Sequence, residues 1–138
     1  MTQEDRELLL KDLCARLLYG VKFMIDEMYL TEDMIKGGYN KTQELYGVTR
    51  EGNVELLNMD YHMPIESIKP YLFPLLSMTD EQFNEKWKLE HSGNMEHLSI
   101  PALDWLNKNH FDYRGLIGKG LAIDATGKNI YQYYGFEN

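Results

Sequence analysis

Two prolines, Pro70 and Pro74, stand four residues apart inside the apolar stretch Tyr71, Leu72, Phe73, Leu75 and Leu76. Proline lacks the backbone N–H a helix interior needs, and its ring clashes with the preceding turn. No long helix can therefore run through residues 69–76. This segment is expected to pack as an extended crossing over the core. The flanks carry helix signals. Thr2 and Asp5 form a Thr-x-x-Asp start, a weaker form of the capping box. Leu8, Leu9, Leu10, Leu13, Cys14, Leu17 and Leu18 then recur at three- and four-residue intervals, the stripe of an amphipathic helix. That predicts a helix over 3–18, closed by Gly20.

Between these features lie strand signals. Val21 to Ile25 is β-branched and aromatic and reads as a strand. Residues 26–42 are open to two readings, a strand and turn or a short helix, with a turn at Gly37-Gly38-Tyr39-Asn40. Glu44 to Thr49 and Val54 to Leu57 flank Arg50-Glu51-Gly52-Asn53 as a hairpin, in which Gly52 or Asn53 can supply a positive φ. Pro64 can open one helical turn over 64–69. Further on, Thr79 and Gln82 form a capping box for a helix over 80–90, with Phe83 and Trp87 on one face and Ser92-Gly93-Asn94 as its stop. Ser99 and Pro101 start another helix, docked by Leu103, Trp105 and Leu106 and running to Asn109. Asp112 can cap a further turn, Leu121 to Asp124 reads as a short strand, and Tyr131 to Asn138 as a loosely held tail. Strands followed by helices predict an α+β domain: a small antiparallel sheet with an N-terminal helix and two or three C-terminal helices.

Length and composition then narrow the function. The 138 residues fit one domain, residues 1–138, with 43% apolar residues for a core. Cys14 is the only cysteine, which excludes an internal disulfide and fits a reducing compartment. The acidic start lacks a secretory pattern, and no run reaches the roughly 18–20 apolar residues of a membrane span. The expected location is the cytoplasm, with no membrane partner. With 14 basic and 22 acidic residues the formal charge is −8, which argues against direct binding to a phosphate backbone. The acids are scattered, not set in the rows that DNA mimicry requires.

Three stretches carry a resemblance: 15–22 (ARLLYGVK), 68–74 (IKPYLFP) and 104–117 (DWLNKNHFDYRGLI). Together they resemble an uncharacterised family of small proteins from gut Bacteroides-type bacteria and their phages. Residues 26–58 and 127–138 depart from that pattern. The resemblance implies a source and no mechanism.

The densest polar cluster is His110, Asp112, Tyr113 and Arg114. An imidazole, a carboxylate and a guanidinium this close are the candidate acid, base and anion clamp of a small enzyme or ligand-binding protein. The structural reading outweighs it. Asp112 caps a turn, Arg114 pairs with a carboxylate or helix-end carbonyls, His110 sits where a helix C-terminus favours positive charge, and Tyr113 packs with its hydroxyl at the surface. Gly118-Lys119-Gly120 departs from the phosphate-loop pattern. His62, His91, His97 and His110 lack metal-ligand spacing, although His91, Glu96 and His97 could meet in space. No cofactor or metal is expected. Cys14, within the first stripe, reads as a buried, inert hydrophobe, and no serine sits in a nucleophile elbow.

Ten tyrosines raise the aromatic content to 12%. Such rings serve protein contacts, although core and rim packing is the stronger reading for most of them. Tyr71, Trp105 and Tyr113 are the candidate contact residues. The leading reading is a non-catalytic intracellular module that binds another protein or itself, of the kind a mobile element or phage carries as an accessory.

Overall fold

The computed structural model describes residues 1–37, 41–56, 62–91 and 99–131. The turn at 38–40, the end of the hairpin at Leu57, the Ser92-Gly93-Asn94 stop, His97 with Glu96, Tyr39, Tyr61 and the tail beyond Tyr131 lie outside the described residues. The chain runs α1 (Gln3–Arg16), β1 (Lys22–Ile25), α2 (Glu32–Lys36), β2 (Thr42–Val48), β3 (Asn53–Leu56), β4 (His62–Pro64), β5 (Ile68–Pro74), α3 (Asp80–Glu90), α4 (Ile100–Lys108), β6 (Phe111–Asp112) and β7 (Ile123–Asp124). Among the described residues, four helices and a mostly antiparallel seven-stranded sheet make it α+β.

The order of the sheet is β4-β3-β2-β1-β5-β6, with β7 also on β5. The meander from β2 to β4 follows from its turn: Gly52 takes φ +86°, and a β-carbon there would collide with the Arg6 guanidinium. The expected hairpin forms with a register shift between Leu45 and Gly47. The ambiguous stretch after β1 becomes a 3-10 turn at Glu27–Tyr29 and the short α2. Pro64 is followed by a 3-10 turn at Ile65–Ser67.

The proline-flanked segment departs from expectation. It is not a crossing over the core but β5, an inner strand paired antiparallel with β1 and parallel with β6 and β7. The parallel pairs, unforeseen in an antiparallel sheet, follow from connectivity. Helices α3 and α4 lie between β5 and β6, so the chain returns to pair in the same direction.

The core has two parts. Leu9 and Leu13 of α1 pack with Phe23, Ile25, Val54, Leu56 and Leu72 of the sheet. A smaller cluster joins Trp105, Leu106 and Phe111, with the Trp105 and Phe111 rings stacked at 5.5 Å. Tyr71 and Trp105, expected at a contact surface, belong to the buried interior. Helix α1 needs a correction too: Cys14 is exposed and Leu18 is 89% exposed. Its buried face is Leu9, Asp12, Leu13 and Arg16, the i, i+3, i+4, i+7 pattern of one helix stripe with charged residues at two of its four positions.

Candidate functional site

Helix α4 delivers the site. The Ser99 hydroxyl accepts from the Ala102 N–H at 3.2 Å and Pro101 sits in the first turn, so both start signals act as expected. The helix is capped at Asn109, and His110 follows with φ +62°. That left-handed position after a helix is ordinarily glycine's, and a side chain there costs roughly 1 kcal/mol. Non-glycine residues held this way concentrate at functional sites. The His110 N–H bonds to the Asn107 carbonyl at 3.2 Å and its own carbonyl accepts from Phe73 N–H on β5 at 2.8 Å. The ring lies under Tyr131, stacked at 3.7 Å.

Tyr131 closes the opposite side. Its hydroxyl accepts from the Lys22 N–H at 2.8 Å and donates to the Tyr71 carbonyl at 2.7 Å, bridging β1 and β5. The tail is therefore firmly held at its first residue.

Between these parts opens a groove of about 1070 Å³. Tyr19, Phe73, Phe111 and Tyr131 give it an aromatic lining, and His110, Lys108 and Glu44 bring titratable groups to it. His110 is only 4% exposed, and its Nδ1 has no hydrogen-bond partner among the described residues. Burial, then the positive charges of Arg16 and Lys22, lower its pKa from 6.5 to about 4. The imidazole is neutral near pH 7. The expected role as a cation at a helix C-terminus is thus overturned, because desolvation and two cations outweigh the helix dipole.

The other members of the cluster face elsewhere. The Asp112 carboxylate accepts from the Leu116 and Ile117 N–H groups, both at 2.9 Å, and ties down the turn after β6. Arg114 Nε lies 3.2 Å from Asp12 Oδ1, an ion pair off hydrogen-bond alignment. The Tyr113 hydroxyl, expected at the surface, instead donates to Asn107 Oδ1 at 2.6 Å. Its ring lies 5.1 Å from the guanidinium carbons of both Arg16 and Arg114. Asp112, Tyr113 and Arg114 do not line the groove with His110.

Sequence reasoning missed the group that organises this cluster. Asp12 and Arg16, both fully buried, pair through Nε–Oδ2 at 2.8 Å and Nη2–Oδ1 at 3.1 Å, and Arg16 Nη2 also donates to the Phe111 carbonyl at 2.6 Å. Bidentate geometry and the third acceptor are what a buried ion pair needs. The available signal was an Asp and an Arg four apart on the stripe of Leu9 and Leu13.

Among the described residues no three His, Cys, Asp or Glu side chains gather as metal ligands. His91 stacks on Trp87 at 4.0 Å, and its Nδ1 lies 2.8 Å from the Trp87 carbonyl. No helix among the described residues is long and apolar enough to cross a membrane. No protein-family model, no curated protein and no solved structure matches the chain.

Proposed function

We propose that the protein is a non-catalytic interaction module of the cytoplasm, consistent with an accessory role in a mobile element or phage, and that it docks a protein partner through the segment from Leu75 to Trp87. One observation carries this reading. Leu76 is 99% exposed, Phe83 53%, Trp87 50% and Leu75 43%, all within thirteen residues of chain. Scattered exposed apolar residues are ordinary, but a concentration of them marks a contact surface. Helix α3 surrounds its two rings with Asp80, Glu81, Glu85 and Glu90 against Lys86 and Lys88, and the whole chain carries −8. Charge complementarity therefore selects a partner segment with apolar anchors flanked by Lys or Arg, steered in by the acidic field.

The rival reading, a small enzyme using His110, Asp112 and Arg114, has less support, since Asp112 and Arg114 are engaged with backbone N–H groups and Asp12. The test is affinity capture from the native host's extract with the wild type and with Leu76→Asp/Phe83→Asp/Trp87→Asp, both shown folded by circular dichroism. A basic partner held by the wild type, released by salt and lost from the triple variant is the expected result. Identical retention by both chains, or a wild type that stays monomeric and retains nothing, overturns the reading.

A further inference from the structure

We propose that the groove beneath Tyr131 is a binding site for a small carboxylate with an aromatic or aliphatic body, whose anionic oxygen hydrogen-bonds the His110 imidazole while its apolar part lies against Phe73, Phe111 and Tyr131. The groove shares Ser77 and Gln82 with the Leu75–Trp87 segment but none of that segment's four exposed apolar side chains, and the proposal does not rest on the partner reading.

Three observations lead here. The first is an unmet polar group: His110 lines the groove while 96% buried, and its Nδ1 has no partner among the described residues. A buried polar atom left unpaired costs roughly 1–3 kcal/mol, and because the Nδ1 is shut off from solvent a ligand oxygen recovers that cost only after a local shift of the surrounding side chains. The second is the backbone, which holds this ring in place from a left-handed residue at φ +62° although a glycine would sit there without strain. The third is the sign of the surroundings. The charges acting on the ring, Arg16 from α1 and Lys22 from β1, are both positive. Lys22 Nζ donates to the Ile130 carbonyl, a neutral acceptor, at 3.1 Å, and Lys108 from α4 lines the groove.

Three carboxylates work in the other direction, the first being Asp12, which pairs bidentately with Arg16. Glu44 lines the groove from β2 but stands opposite Lys22 in the β1–β2 register, and Asp112 is committed to the Leu116 and Ile117 N–H groups. Arg16 is paired with Asp12, so Lys22 and Lys108 supply the positive field beside a neutral imidazole, which favours an anionic ligand over a cationic one. A carboxylate fits better than a phosphate. Phosphate sites offer an arginine fork or a row of helix N-terminal N–H groups, whereas Arg16 is turned to Asp12 and Phe111 and the groove meets the end of α4, not its start.

Phenylacetate is the probe, with phenylacetamide as its neutral counterpart and inorganic phosphate as the competing anion, followed by NMR of the full chain. The expected result is saturable phenylacetate binding that shifts the His110 and Tyr131 ring signals, with the amide weaker by about tenfold or more, the loss of one charge-assisted hydrogen bond. Bound anion stabilises the imidazolium, so affinity rises several-fold as pH falls from about 7 to about 5.5, with proton uptake seen calorimetrically in two buffers. His110→Asn, chosen because asparagine tolerates the left-handed backbone, lowers affinity about tenfold. Trp87→Ala leaves it unchanged, because Trp87 does not line the groove. No saturable binding, equal binding of acid and amide, tighter binding of phosphate, or unchanged binding by His110→Asn overturns the proposal. Should that variant fail to fold, the acid–amide ratio and the pH arm decide the matter on the wild type.

Discussion

Helices α1 and α3 invert the usual assignment of side chains. Helix α1 places Asp12 and Arg16 at 0% exposure, while α3 leaves Phe83 and Trp87 half in water. What separates them is what lies opposite. The Arg16 guanidinium meets a carboxylate and the Phe111 carbonyl, so most of its desolvation is offset by directed partners, while its Nη1 has no hydrogen-bond partner among the described residues. Among the described residues the rings of α3 have small local companions, Lys86 over Phe83 at 5.6 Å and His91 against Trp87. On these two helices burial depends on the availability of partners as well as on hydropathy.

The sharpest way to break that contrast is Asp12→Ala. It strands the Arg16 charge in the interior and costs about 3–5 kcal/mol in denaturant unfolding. Asp12→Leu with Arg16→Met, which removes both charges, is expected to lie closer to the wild type than the single variant. A single variant within about 1 kcal/mol of wild type would show that the pair is not what permits burial.

Next in size is an acid effect at His110. Its folded pKa of about 4 lies below the ordinary 6.5, so between those values the unfolded chain binds a proton that the fold excludes. The contribution is present in full above pH 6.5 and is lost as pH falls toward 4, to the extent of about 3 kcal/mol. Unfolding titrations of wild type and His110→Asn should converge across that window; parallel curves would refute a neutral buried ring.

Tyr131→Phe keeps the stack on His110 but removes the hydroxyl between Lys22 and Tyr71, at a cost of about 1 kcal/mol read as a lowered melting temperature. Smallest of all, Trp87→Ala on the open face of α3 should change stability by about 0.5 kcal/mol or less. A larger loss there would mean that α3 buries its ring after all.

The sequence was most legible where interactions span four residues or fewer. The Thr79–Gln82 capping box forms in both directions, Ser99 and Pro101 open α4, and Gly52 turns the hairpin. Each is decided by local geometry that residue type reports directly. The site was legible in part: His110 stood out as a titratable side chain, but its surroundings did not. Arg16 reaches Phe111 across 95 residues and Tyr131 reaches Lys22 across 109, distances at which spacing says nothing. The first apolar stripe misled because seven apolar residues can be arranged on α1 in more than one way. Which face turned inward was settled by an Asp–Arg pair that hydropathy counts as surface. The inner strand β5 was hidden for a related reason. Two prolines excluded a helix there, yet Phe73 still finds the His110 carbonyl for its N–H, and the Leu72 carbonyl accepts from Ala125.

One side chain, Tyr131, joins two mechanical systems. Its phenol oxygen is a rivet through the seam where β1 meets β5, and its ring is the roof over the imidazole. A guest that lifts the roof must therefore tug the seam, and loosening the seam must unroof the cavity. Occupancy of the proposed site would be geared to sheet cohesion, and a chain cut after Ile130 would lose both together.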